Sequence, residues 1–300
     1  MNSHSILQKV TRKDLSHDPF PHVVIDDCLP DSYFEELAVT FPSNETILGY
    51  CREHPFRKFA FIDGEAKPNH RYDISAFQAF ESPRDLSPIW LDFIRYHTSA
   101  EFFAEVSGVF GPDICRLYPH LESSLGRPLK DFSTGVRFQS DCDVSIDCQV
   151  GINTPATHKS SVRRVHTDAT VELFAALLYF REPNDDTAGG DLEIFKWRNP
   201  RRKRFIETEA DETASVLVNT IGYKANRMVL FLNSQDSLHA VTPREPSPFT
   251  RKLVNIIGEV DKSFPKGLFP RPKRKDKDYF LGKAASLGKK LVRKRSIRSS

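Results

Sequence analysis

Hydrophobic positions in the first part of the chain recur mostly at helical spacing. Val23 to Ile25 reads as a short strand. A helix is predicted next, N-capped by Asp31, with Phe34, Leu37, Ala38 and Phe41 on its apolar face. Residues 43–85 show little period and predict a few short elements joined by loops. Residues 86–125 predict helix again. Trp90, Phe93, Ile94 and His97 fall at i, i+3, i+4 and i+7, and Phe102, Phe103, Val106 and Phe110 repeat the stripe. That stripe reads as core, and His97, which sits on it, as a packed histidine rather than a ligand.

The pattern changes after about residue 131. Strands are predicted at 135–139, 143–152, 172–180, 191–197, 213–219, 227–233 and 251–259. Turn-forming residues separate them, including Pro183-Asn184-Asp185-Asp186, Gly189-Gly190 and Asn233-Ser234. Short strands at this density suggest a sandwich or barrel. The expected class is α+β with a mainly β core. A mostly helical support region, 1–130, would pack on a β core, 131–261, followed by a tail, 262–300.

Composition supports a folded globular chain, with 39% hydrophobic and 28% charged residues. No run of 18 apolar residues offers a transmembrane span. Met1 to Val10 lacks the apolar stretch of a secretory signal. Cys28, Cys51, Cys115, Cys142 and Cys148 are odd in number and match no zinc spacing. Reduced thiols and a cytoplasmic location are therefore expected. The net charge of +3 conceals an asymmetry: residues 262–300 hold fourteen Lys/Arg against two Asp, so the tail carries +12 and residues 1–261 carry −9. Within the tail, Phe280, Ala284, Leu287 and Leu291 have roughly helical spacing among lysines. It reads either as a solvated, partly disordered segment or as a basic amphipathic helix. The second form would contact an anionic partner, a membrane surface or nucleic acid.

The candidate chemistry begins at His166-Thr167-Asp168. On a strand, residues two apart point to one side, so an imidazole and a carboxylate would aim at a common point. His239, which follows the apolar run Met228-Val229-Leu230-Phe231-Leu232, is the best third ligand. Two histidines and one carboxylate form the facial triad of non-haem Fe(II) oxygenases, which leaves coordination positions open. Such a set also binds zinc, but no glutamate stands at a recognisable offset to serve a zinc hydrolase as general base.

Order and context along the chain then carry a resemblance. Val165-His166-Thr167-Asp168, Leu177-Leu178-Tyr179-Phe180 and Gly189-Gly190-Asp191-Leu192 occur in that sequence, followed by His239-Ala240-Val241-Thr242-Pro243 and Thr250-Arg251-Lys252-Leu253. Residues 145–258 resemble the prolyl-hydroxylase-like branch of the 2-oxoglutarate and Fe(II)-dependent oxygenases. The resemblance implies a double-stranded β-helix, or jelly roll, with N-terminal helices packed on it. It implies Fe(II) on His166, Asp168 and His239, with 2-oxoglutarate as cosubstrate, O2 as oxidant, and hydroxylation of a small-molecule or peptidyl substrate. Arg251 would take the distal carboxylate of 2-oxoglutarate, since a guanidinium pairs with carboxylate bidentately. It lies 12 positions after His239, further than is usual in the family, and Pro243, Pro246 and Pro248 suggest a looped-out excess. Lys252 is the alternative, on the opposite face. Tyr179 stands where related enzymes place a hydroxyl on the same carboxylate, or it is a core aromatic. Where the family often has another tyrosine, this chain has Gln149-Val150-Gly151-Ile152-Asn153, so Gln149 or Asn153 would line the pocket.

Gly189-Gly190 reads as a turn rather than a phosphate cradle, because a strand-like segment follows it. The loop 155–164, with His158, Lys159, Arg163 and Arg164, would rim the entrance and meet an anionic substrate, or simply be solvated. The competing function is a non-catalytic, cupin-like metal-binding jelly roll. A nucleic-acid demethylase of the same superfamily is disfavoured, because Ile257 stands where such enzymes carry a second arginine.

Overall fold

The computed structural model describes residues 5–53, 61–139, 141–206, 208–210, 212–260 and 267–270. Apart from 267–270, the predicted basic tail lies outside the described residues. In chain order the elements begin with β1 (His22–Ile25), α1 (Asp31–Val39), α2 (Asn44–Glu53), the hairpin β2 (Phe61–Ile62) and β3 (Glu65–Ala66), and β4 (Arg71–Ile74). Four helices follow: α3 (Ala76–Glu81), α4 (Pro88–His97), α5 (Ala100–Leu117) and α6 (Leu121–Leu125). The remaining strands are β5 (Thr134–Val136), β6 (Val144–Asn153), β7 (Glu172–Tyr179), β8 (Leu192–Trp197), β9 (Phe205–Ile206), β10 (Glu209–Ala210), β11 (Ser215–Ile221), β12 (Met228–Leu232), β13 (Leu238–Val241) and β14 (Arg251–Val260).

The molecule has three layers. The large sheet has the order β1-β12-β7-β14-β6-β4, with β5 joined parallel to β6. A smaller sheet, β11-β8-β13, faces it. Helices cover the other side of the large sheet. Side-chain alternation creates this arrangement. Phe174, Ala176 and Leu178 of β7, with Val254 and Ile256 of β14, enter the core shared with the helices. Ala175, Tyr179 and Leu253 point the other way and meet Leu192 and Ile194 of β8 in a second core between the sheets. The fold is thus mixed, with a jelly-roll-like pair of sheets. The expected closure does not occur, because the two sheets share side chains but no strand pairing.

Trp90 anchors the helical layer. Its ring packs edge-on against Phe41 at 5.2 Å and against Phe93 at 5.6 Å, and its indole N–H donates to Leu37 O at 3.2 Å. His97 is structural, as the stripe predicts. One ring nitrogen lies 2.8 Å from Phe93 O, and the other accepts the Ile6 N–H at 3.2 Å. No helix among the described residues is long and apolar enough to cross a membrane.

Some local expectations change. Asp31 is the first helical residue rather than the cap, because Pro30 occupies the cap. A carboxylate in the first turn still faces the positive end of the helix dipole. Phe41 lies beyond the helix. α2 is one of the short elements expected within 43–85, but its helical type was not assigned, since it buries only Ile47, Tyr50 and Cys51, barely more than one turn of periodic signal. The strand expected at 135–139 ends at Val136, as Phe138 adopts φ +73°. Strands β1 and β4, from before residue 131, extend the large sheet on both flanks.

Candidate active site

A cavity of about 350 Å³ opens between the two sheets. His166, Asp168 and His239 line it, and one ligand atom from each lies within 4.8 Å of the others. His239 is on β13. His166 is not on a strand, as the spacing argument assumed. It sits in a loop held to β13 by a single bridge, in which His166 N donates to His239 O and His239 N donates to His166 O, both at 3.0 Å. The imidazoles are thereby paired backbone to backbone, with ring centroids 4.2 Å apart.

Hydrogen bonding sets the tautomers. Nδ1 of His166 lies 2.7 Å from Arg164 O, and Nδ1 of His239 lies 3.0 Å from Ser237 O. A carbonyl only accepts, so each Nδ1 carries the proton and each Nε2 presents a lone pair. Both Nε2 atoms face Asp168, at 3.5 Å from Oδ1 and 3.6 Å from Oδ2. Burial, followed by the neighbouring His166, pushes His239 down to about 4, so it is neutral at pH 7. Burial alone would raise Asp168, but His239, His166 and Arg163 outweigh it and hold the carboxyl below its ordinary value. Two Nε2 donors and one carboxylate make a set suited to Fe(II).

The second part of the site is Arg251, the first residue of β14 and only 3% exposed. Its Nε donates to Gly190 O at 2.9 Å and its Nη1 to Asn153 Oδ1 at 3.3 Å. The guanidinium lies over the rings of Tyr179, at 4.9 Å, and Tyr223, at 4.8 Å. The Tyr179 hydroxyl and Asn153 Nδ2 are buried beside it and make no hydrogen bond among the described residues. Buried polar groups are normally satisfied, so two orphans around a buried cation mark a place for an anionic acceptor. A carboxylate of 2-oxoglutarate fits that need. Lys252 points away, pairing with Glu182 at 2.6 Å on the helical face.

Gln149 also lines the cavity but stands apart from Arg251. It is four residues from Asn153 along β6, roughly 13 Å on an extended strand. Its amide is engaged with Asp147 at 2.9 Å and with Asn255 at 3.4 Å. The looped-out excess before Arg251 is ordered by pairing with the 155–164 loop, through bridges Ala156–Ser247 and Ser160–Arg244. Gly189 and Gly190 have φ of +86° and +82°, consistent with the predicted turn. They also permit close approach: a Cβ on Gly189 would lie 2.0 Å from Pro243 O, and one on Gly190 3.2 Å from Arg251 Nε.

Sequence reasoning missed five contributors. Arg244 is buried and donates to Asn69 Oδ1 at 3.2 Å and Thr154 O at 3.0 Å, which ties β14's approach to β6. Tyr223 fixes the backbone next to Arg251, accepting the Lys252 N–H at 2.9 Å. Arg71 and Asp73 reach the cavity from β4, the sheet edge that carried no strand signal. Glu172 lines the cavity too. Burial, then Asp168 and Glu259, push its carboxyl up to about 9.

Residues 156–257 match the model of the 2OG-Fe(II) oxygenase superfamily. No curated protein matches the sequence significantly. Among solved structures, the chain is similar to a prolyl 4-hydroxylase from Phytophthora capsici, with 18% identity and a TM-score of 0.46. That match covers 87% of this chain and 65% of the other, so this chain spans just under two thirds of that relative. A Trichoplax adhaerens prolyl hydroxylase, solved with a hypoxia inducible factor peptide fragment, has 13% identity, a TM-score of 0.40 and coverage of 81% and 84%. The Arabidopsis thaliana dioxygenase for auxin oxidation 1, solved with 2-oxoglutarate, has 13% identity, a TM-score of 0.41 and coverage of 83% and 86%. The superfamily takes its name from Fe(II) and 2-oxoglutarate, which it uses with O2. The matched span opens before His166 and closes after Arg251, so the part of the chain that is similar to the 2OG-Fe(II) oxygenase superfamily contains both halves of the cavity's chemistry.

Proposed function

We propose that this protein is a 2-oxoglutarate- and Fe(II)-dependent dioxygenase that hydroxylates a C–H bond of a substrate bound between its two sheets. One observation carries the reading. Buried His166 and His239, with half-buried Asp168 and one ligand atom from each within 4.8 Å of the others, share a cavity with a buried arginine flanked by orphan donors.

His166, Asp168 and His239 would hold Fe(II), and Arg251, Tyr179 and Asn153 would receive the distal carboxylate of 2-oxoglutarate. Bound together with O2, these groups supply an oxidant able to attack an unactivated C–H bond. The chain's own residues do the rest. The Nδ1–H bonds to Arg164 O and Ser237 O orient the two imidazoles and leave each Nε2 facing the cavity. The Asp168 carboxylate offsets part of the metal charge. Arg251 fixes the cosubstrate's far end, its own position set by Gly190 O and the two tyrosine rings. Leu177, Phe231 and Leu253 line the cavity with apolar surface and limit water there.

The test is an anaerobic titration of the full chain with Fe(II), then with 2-oxoglutarate, following the weak visible charge-transfer band of the chelate. A band in the wild type that is absent in His166→Ala supports the proposal. Metal binding without a band would favour a non-catalytic metal-binding module. Full iron affinity in both His166→Ala and His239→Ala would remove the triad.

A further inference from the structure

The loop before His166 brings a cation to the cavity that the metal and cosubstrate do not use. Arg163 lines the cavity. Its carbonyl accepts the N–H of Val241, two residues beyond His239, and the Ser161 hydroxyl at 2.9 Å. These bonds hold the Arg163 backbone alongside β13, next to the triad. Arg163 is exposed, borders both this cavity and the outer groove beside it, and its guanidinium makes no hydrogen bond or ion pair among the described residues. Its charge still reaches Asp168 and His239.

The other charged groups of the cavity are accounted for. The charges of Fe(II), Asp168, Arg251 and the two carboxylates of 2-oxoglutarate cancel. Arg71 and Asp73 face one another at 3.5 Å on β4. Glu172 is held neutral by its burial. Gln149 and Asn255 add only amides. One positive charge at the mouth remains without a counterpart. The cavity volume, about 350 Å³, lies near the lower end of the roughly 300–1,000 Å³ that holds one small ligand. With cosubstrate bound, little room is left.

We infer that Arg163 is a specificity-determining residue, and that the substrate is a small polar carboxylic acid whose carboxylate pairs with its guanidinium at the cavity mouth. This rests on the oxygenase reading above. A guanidinium and a carboxylate form charge-assisted, often bidentate bonds, which hold the acid end at the mouth. The remainder of the molecule then points inward, between the triad and the amides of Gln149 and Asn255.

The experiment uses the full chain loaded with Fe(II) and 2-oxoglutarate. The probes are a set of three- to six-carbon hydroxy and amino acids, each paired with its primary amide, together with small phosphate monoesters. Perturbation of the visible band is measured anaerobically, and succinate formation is measured in air. Carboxylic acids are expected to perturb the band and stimulate turnover, and their amides are not. In Arg163→Gln the apparent KM for an active acid should rise about tenfold to a hundredfold, the loss of a charge-assisted bond. Arg163→Lys should recover part of it. Lys196→Gln, which alters an exposed cation on β8 that does not line the cavity, should leave that KM in place. Equal responses to acid and amide, a response only to phosphate monoesters, no response to any carboxylate, or an unchanged KM in Arg163→Gln would each overturn the inference. Absence of the 2-oxoglutarate band in the wild type would instead overturn the oxygenase reading.

Discussion

Replacing Tyr179 by Phe tests the cosubstrate site through two effects of opposite sign. The hydroxyl is fully buried and makes no hydrogen bond, while the Arg251 guanidinium lies 4.9 Å from the ring. In the ligand-free protein that hydroxyl is a buried, unsatisfied polar group, which costs about 1–3 kcal/mol. Its removal leaves the aromatic packing against Tyr223 intact. Tyr179→Phe should therefore stabilise the ligand-free protein by about 1 kcal/mol, which is roughly 1–2 °C in Tm for a chain of this size. With 2-oxoglutarate bound, the same hydroxyl donates to a carboxylate, and a bond to a charged group contributes about 1.5–3 kcal/mol. The variant should bind 2-oxoglutarate about tenfold to a hundredfold more weakly. Thermal unfolding without ligand gives the first quantity, and anaerobic titration of the visible band gives the second. A tyrosine serving only the core would show no loss of affinity. Unchanged affinity, or a ligand-free protein less stable than wild type, would refute the assignment.

Other substitutions separate the remaining parts of the site and the frame. Arg251→Ala should weaken 2-oxoglutarate binding far more than Lys252→Ala, since only Arg251 faces the cavity; the reverse ranking by the same titration would move the role to Lys252. Gly189→Ala should lower Tm measurably and weaken 2-oxoglutarate binding, because φ is +86° and a Cβ would strike Pro243 O beside the Arg251 support. Asp26 pairs bidentately with Arg227 and also with Lys224, and chiefly Arg227 pulls its carboxyl down to about 2. Its stabilisation is present above the ordinary pKa of 3.8 and disappears as pH falls through about 2. Asp26→Asn should thus cost about 0.5–1 kcal/mol at pH 7, a figure already reduced for solvent screening, and nothing near pH 2; denaturant unfolding at both pH values checks this.

The sequence by itself determined the material of each layer and singled out the three side chains that converge in the cavity. The apolar runs within 172–180 and 251–259 are a local property of the chain, so β7 and β14 were legible to within a residue. The aromatic stripe from Trp90 to Phe110 marked the helical cover for the same reason. His166, Asp168 and His239 were recognisable because their order along the chain, between strands, is itself a signal. Only the tertiary structure decided what surrounds them. Arg71 and Asp73 reach the cavity because β4 pairs with β6 more than seventy residues later. The roles of Arg244 and Tyr223 depend on contacts with Asn69, Thr154 and Lys252, which no local spacing encodes. The ligand dyad proved to be a loop pinned to β13 by one bridge, so its convergence comes from cross-chain hydrogen bonds rather than from strand alternation. Periodicity reports which face of an element is apolar. Which polar groups meet between two faces is set by strand pairing, and that is fixed only when the sheets assemble.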